Sequence, residues 1–255
     1  MSYGSVERLE GGVAKLTLNT GRGNPITPAA VEALRDELLA LEAEPPRALL
    51  IDAGGAPIFS GGFALPVIAP FDRPKLEAFF SMYMECLYSI LRMRCPSVCA
   101  IGGHAVAAGF ILSLATDYRV VTSAAVKLGL PEVDLGVAVP GGAQELFASR
   151  TSLQFAHAHC TSGKLFDAEA ALQSGYAFKL EENADEAGLR LAQSLAKKPG
   201  TGAAVSRTVL ATELIERVEK ADARWNDVFL DGWFSEAGQA CIQAQAARLS
   251  GGGKG

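Results

Sequence analysis

Apolar residues recur along the chain with two periods, and the alternation between them sets the order of elements. Residues 6–9 and 13–18 are short runs rich in β-formers that flank Gly11-Gly12, the pattern of a hairpin. Val31, Leu34, Leu38 and Leu41 then return at helical spacing. Thr27-Pro28 supplies an N-cap with proline at the first helical position, and Pro45-Pro46 ends the run. Residues 48–51 read as a short buried strand, which runs into Ala53-Gly54-Gly55 and Gly61-Gly62, a loop built for unusual backbone angles. Leu76, Phe79, Phe80, Met84, Leu87, Ile90 and Leu91 mark a long amphipathic helix over residues 74–93, closed by Pro96. Residues 97–101 form a second buried strand, residues 102–116 a tight turn entering a fully buried helix, and residues 118–121 another strand.

Beyond Pro140 the pattern is helix after helix: residues 144–148, 152–159, 168–174, 184–196, and a long stretch from 202 to 249 broken near Gly232. Strands alternating with helices predict a layered α/β core over residues 1–198, with residues 199–255 as a C-terminal helical region. The glycine-rich tail, residues 251–255, is expected to fray.

Composition narrows the function classes. The chain has 255 residues, 49% of them hydrophobic and 20% charged, enough for one substantial core. Its net charge of −5 offers no basic face for a phosphate backbone, so nucleic acid is not an expected partner. No apolar stretch reaches the ~18 residues needed to span a bilayer, and the N-terminus lacks the basic start and apolar run of a signal peptide, so a cytoplasmic location is expected. Cys86, Cys95, Cys99, Cys160 and Cys241 are odd in number and lack metal-like clustering; they read as buried free thiols. His157 and His159 lie two apart on a helix, on different faces, and form no metal pair. No metal is expected.

Three segments carry candidate chemistry. The turns Phe59-Ser60-Gly61-Gly62-Phe63-Ala64-Leu65 and Gly102-Gly103-His104-Ala105-Val106-Ala107-Ala108-Gly109-Phe110 each follow an expected strand. In the second, small residues precede a buried helix and leave free N–H groups at its start, a site for an oxygen carrying negative charge. For either turn alone, glycines that merely permit close packing are the simpler account. The third segment is Leu128-Gly129-Leu130-Pro131-Glu132-Val133-Asp134-Leu135-Gly136-Val137, followed by Pro140-Gly141-Gly142-Ala143-Gln144.

With Thr116-Asp117-Tyr118-Arg119-Val120 between them, these blocks in this order resemble the crotonase superfamily, the enoyl-CoA hydratase/isomerase family. Asn24 and the pair Ser235-Glu236 extend the resemblance over roughly residues 5 to 248. It implies a spiral of strand-strand-helix turns, a C-terminal helical trimerisation region, and a homotrimer or homohexamer, with the apolar residues Trp225, Val228, Phe229, Leu230, Trp233 and Phe234 of that region expected to serve assembly. It also implies an acyl-CoA thioester substrate, with coenzyme A as part of the substrate and no separate cofactor. Carried onto this chain, the two oxyanion-binding N–H groups fall on Phe63 and Ala108, and the catalytic carboxylate on Glu132. Gly62, Ala64, Leu65, Gly109, Ile111 and Pro131 are expected to border the substrate, and Arg22 to meet a coenzyme A phosphate.

Hydratases of the family use two glutamates, and the position of the other is Ile111 here. Isoleucine can neither orient nor deprotonate water, so concerted hydration by both usual carboxylates is excluded. Members that keep only Glu132's position resemble enoyl-CoA isomerases. A hydratase, lyase or hydrolase acting on an unusual acyl-CoA, and a non-catalytic acyl-CoA-binding protein, are the alternatives. Asp134 would share a side with Glu132 if the segment were extended, although a loop aspartate is the plainer reading. His104 is read as a packed or surface residue, and Phe79, Phe80, Met82 and Met84 as core or pocket wall.

Overall fold

The computed structural model describes residues 5–251 and begins with the expected hairpin, β1 (Ser5–Leu9) and β2 (Val13–Thr17), turned by Gly11 and Gly12 at φ +84° and +83°. Helix α1 (Pro28–Ala43) starts as its sequence dictates: the Thr27 side chain accepts a hydrogen bond from the Ala30 N–H, and Val31, Leu34, Leu38 and Leu41 are buried. Strands β3 (Ala48–Asp52), β5 (Ser97–Ile101) and β7 (Tyr118–Thr122) agree with the hydrophobic runs.

Each is followed by a short strand that the pattern did not announce, β4 (Ile58–Ser60), β6 (His104–Val106) and β8 (Leu128–Gly129). From β3 onward, successive strands alternate between two sheets. One has the order β1-β2-β3-β5-β7-β9, where β9 is Lys179–Glu181, and the other β4-β6-β8. Among the described strand pairs only β1–β2 is antiparallel. The chain thus winds as a spiral: β3 then β4, β5 then β6, β7 then β8, each turn stacked on the last. This is the α/β fold the resemblance implied.

Both faces of the larger sheet are covered, which explains why its strands read as continuous apolar runs. Leu49, Ile51, Cys99, Ile101 and Val121 face the main core, and Leu50, Val98, Ala100 and Val120 face the other side. There α8 (Ala184–Ala196) lies close because its contact residues are Ala184, Ala187, Ala192, Ala196 and Gly188; a Cβ at Gly188 would fall 2.7 Å from that of Ala100.

The remaining helices are α2 (Leu65–Ile68), α3 (Arg73–Arg92), α4 (Ala108–Leu114), α5 (Gly141–Arg150), α6 (Leu153–Ser162), α7 (Ala168–Gln173), α9 (Gly202–Phe234) and α10 (Glu236–Gly251). The break in the C-terminal stretch falls at Ser235 rather than Gly232. Gly251 closes α10, and the rest of the tail expected to fray, residues 252–255, lies outside the described residues. Among the described residues no helix is long and apolar enough to cross a membrane.

Candidate active site

The loop of residues 20–26 is the clamp that shapes the first turn. Asn24, buried and with φ +42°, donates from Nδ2 to the carbonyls of Ile58 and Phe59 and accepts the Thr20 N–H on Oδ1. Around the turn, the Gly61 N–H donates to Gly23 O at 2.9 Å, Gly62 N–H to Ser60 Oγ at 3.2 Å, and Ala64 N–H to Ile26 O at 2.9 Å. Phe63 is the residue whose N–H is left without an acceptor among the described residues. An unpaired backbone donor in a half-buried residue is open to a partner from outside.

The second turn repeats the arrangement. The Ala105 N–H is taken by Lys127 O at 3.1 Å and the Ala107 N–H by Gly129 O at 2.9 Å, while Ile111 N–H reaches back to Ala107 O at 3.0 Å. Ala108, first residue of α4, has no helical carbonyl one turn earlier, and its N–H has no acceptor among the described residues. Its own carbonyl accepts from the Tyr83 hydroxyl. Ala107 holds φ +52° and ψ −130°, an uncommon conformation for a residue with a side chain, and it turns the chain from β6 into α4.

Glycine lets the two turns touch. A Cβ at Gly62 (φ +86°) would lie 2.9 Å from the Ala107 Cβ and 3.2 Å from the Ala108 nitrogen, and one at Gly109 would lie 2.5 Å from the Ser60 Cβ. Phe63 and Ala108, whose amides have no acceptor among the described residues, both border a cavity of about 610 Å³.

Pro131, Glu132 and Ile111 border the same cavity. Glu132 opens a 3₁₀ turn, Glu132–Leu135, rather than lying in an extended segment. The residue as a whole retains some exposure, yet its Oε2 is withdrawn from solvent and has no partner among the described residues. Desolvation pushes its carboxyl up from the ordinary 4.5 to about 7, opposed only by a backbone hydrogen bond. Ile111 is buried. Asp134 also borders the cavity but is exposed. The condition that would have aligned it with Glu132, an extended backbone, is not met.

Leu65 reaches the cavity. Gly62, Ala64 and Gly109 do not border it; Gly62 and Gly109 shape its wall from behind, and Ala64 is buried beside them. Arg22 is exposed and away from it. Of the aromatic and methionine residues on α3, Phe80 borders the cavity, whereas Phe79 packs edge-on to the Phe63 ring at 4.9 Å and Met84 is core. His104 accepts the Lys127 N–H on Nδ1 at 3.0 Å, as a packed residue would. Cys241 departs from the expectation of buried thiols: it is exposed and borders the cavity, while the other four cysteines are buried.

The C-terminal helices supply a wall that sequence reasoning missed. Phe229 and Trp233 of α9, and Gln245, Arg248 and Leu249 of α10, border the cavity. Trp233, Phe229 and Leu230 belonged to an apolar stripe expected to serve assembly; all three are instead buried within the chain. Helical periodicity identified the stripe but not what it faces.

The profile of the enoyl-CoA hydratase/isomerase family matches residues 8–237. The probable enoyl-CoA hydratase EchA14 of Mycobacterium tuberculosis is 28% identical over 206 residues, 80% of this chain and 78% of that protein. A probable enoyl-CoA hydratase of Mycobacterium avium, EchA17, is 29% identical over 198 residues, 75% of this chain and 76% of that protein. In fold, the chain is similar to human mitochondrial delta3-delta2-enoyl-CoA isomerase, with a TM-score of 0.90, 21% identity and full coverage of both chains. An enoyl-CoA hydratase/isomerase from Mycobacterium paratuberculosis superposes with a TM-score of 0.87 at 20% identity, over 96% of this chain and 98% of that one. The spiral fold, the ordered motifs and the profile match agree: this chain belongs to the enoyl-CoA hydratase/isomerase, or crotonase, family.

Proposed function

We propose that the protein moves the double bond of a 3-enoyl-CoA thioester to the 2-position, with Glu132 as the proton carrier. The observation that carries this reading is a single desolvated carboxylate, Glu132, facing the same cavity as two free backbone N–H groups, with Ile111 where the family's hydratases hold a second glutamate.

In the proposed reaction the ionised Glu132 takes a proton from C2. The electron pair of that C–H bond delocalises onto the thioester oxygen, which receives the N–H groups of Phe63 and Ala108. Collapse of the dienolate forms the C2–C3 double bond while the Glu132 carboxylic acid returns its proton to C4. Removing one such oxyanion donor typically costs about 3–4 kcal/mol of transition-state stabilisation. A carboxyl with a pKa near 7 suits the cycle, since it both takes and gives a proton near neutrality. We also place the protein in the cytoplasm as a homotrimer or homohexamer.

Purified protein is expected to convert a 3-enoyl-CoA to its 2-enoyl isomer far faster than it hydrates 2-enoyl-CoA. Glu132→Gln should lower turnover by at least 100-fold and leave thioester affinity within a few fold, because the amides and apolar walls persist. Efficient hydration by the wild type would overturn the isomerase reading. It would make Asp134, the other carboxylate bordering the cavity, the group that holds the water.

A further inference from the structure

A second cavity, of about 540 Å³, shares no lining residue with the first. Its charges are unbalanced: Arg150, Lys198 and Arg207 border it together with one carboxylate, Asp117. Arg207 is fully engaged, since its Nε donates to Asp117 Oδ2 at 2.7 Å and its Nη nitrogens donate to the carbonyls of Ile90, Leu91 and Met93. The same Asp117 oxygen also accepts the Ser97 N–H and hydroxyl. Nearby Arg119 donates to the carbonyls of Tyr176 and Thr116. Arg150 is the cation left over. Its Nε donates to the Leu114 carbonyl at 3.0 Å, but among the described residues it forms no ion pair and neither Nη nitrogen has an acceptor. Those two nitrogens are not sealed from solvent, so a ligand can reach them. Desolvation and the like charges of Arg119 and Arg207 push the Arg150 guanidinium down to about 10, opposed by Asp117. Asp117 and Arg207, which act on that charge, border the cavity themselves, so the guanidinium and not only its stem stands there. A guanidinium this withdrawn from water, among other cations, is incomplete without an anion.

We infer that this cavity is a second ligand site, which takes a small carboxylate on an apolar body, the carboxylate accepting from the two Nη nitrogens of Arg150 with Lys198 as the supporting cation. A guanidinium whose Nε is already anchored presents its remaining N–H groups in a fixed fork, the geometry that suits a carboxylate. The rest of the border selects the body of the ligand. Leu91, Pro96, Leu195 and Leu214 line the cavity, and an inorganic anion would leave them unfilled. The inference does not rest on the acyl-CoA reading, because the catalytic cavity is bordered by other residues.

The test titrates octanoate, its neutral counterpart octanamide, and inorganic phosphate into the protein by calorimetry, with and without saturating octanoyl-CoA. Octanoate should bind wild type at least tenfold more tightly than either octanamide or phosphate, and octanoyl-CoA should not displace it. Arg150→Gln should weaken octanoate at least tenfold. A second variant covers an Arg150→Gln protein that fails to fold: Lys198→Gln, at an exposed position bonded through its backbone, should weaken octanoate about threefold. Displacement by octanoyl-CoA would put the acid in the catalytic cavity and overturn the inference. Octanamide or phosphate binding as tightly as octanoate would overturn it too, as would unchanged octanoate affinity in a folded Arg150→Gln or in Lys198→Gln. Failure of octanoyl-CoA itself to bind would count against the acyl-CoA reading alone, and the two variants would still decide where octanoate sits.

Discussion

Glu132 is the residue whose environment and proposed chemistry make the most exacting joint demand. A carboxyl held near 7 in the folded chain, against 4.5 for the ordinary side chain, binds its proton more tightly when folded. Below pH 4.5 it is protonated in both states and costs nothing. As pH rises through 7 the folded protein must ionise a desolvated group, and stability falls by at most about 3 kcal/mol. Glu132→Gln, neutral throughout, should therefore melt several degrees above wild type at pH 8 and lose most of that margin at pH 4.5. Thermal unfolding at the two pH values checks this; an equal difference at both would mean that Glu132 titrates as an ordinary carboxylate. The same ionisation should appear in catalysis. Because the base must start ionised, kcat/KM for 3-enoyl-CoA is expected to rise with pH through about 7, and a limb near 4.5 would contradict the desolvation.

At the scale of elements, the site depends on how closely α4 approaches β4. A methyl at Gly109 would meet the Ser60 Cβ at 2.5 Å and the Ser60 carbonyl at 2.6 Å, neither of which can yield without moving backbone. Gly109→Ala should cost about 1–3 kcal/mol as overpacking, and should displace the Ala108 amide enough to lower kcat. Gly202→Ala, at the start of α9 with no atom within 4 Å, should be neutral or stabilising by up to about 1 kcal/mol. Urea denaturation of the pair separates steric closeness from glycine content as the cause. Elements long enough to show a period were legible in the sequence: α1 by its cap and leucines, α3 by its apolar stripe, and β3, β5 and β7 by their unbroken apolar runs. The strands β4, β6, β8 and β9 were not, because two or three residues cannot display a period of two and their pairing is set by distant segments. The Glu132 segment likewise read as loop because a four-residue 3₁₀ turn leaves no pattern. Phe63, Ala108, Ile111 and Glu132 were reached through motif order, and they do border one cavity. Trp233 was misplaced because a stripe of large residues on a long helix reads the same whether it faces a partner or the chain's own cavity.

For the whole molecule, the question is what covers the apolar surface that remains. With Phe229, Leu230 and Trp233 inside the chain, the expected assembly face loses half of its residues. Trp225 and Val228 of that face stay exposed, Val205, Val209 and Leu210 in the first half of α9 are 57%, 66% and 77% exposed, and Leu153 and Phe178 are exposed as well. Val205 and Val209 stand one helical turn apart and so share a face of α9. We propose this face of α9 as the assembly surface; burying each such side chain contributes about 1.5–3 kcal/mol. Light scattering at micromolar concentration should give three or six times the 26.7 kDa chain mass. Replacing Val209 and Leu210 together by glutamate places two charges where a neighbour would have to desolvate them, and should shift the mass toward one chain. Circular dichroism of that variant should keep the wild-type helical signal, since neither side chain belongs to the chain's own core. A wild-type mass of one chain would refute the assembly outright. An unchanged mass in the variant would instead move the interface away from the first half of α9, toward the exposed Leu153 and Phe178.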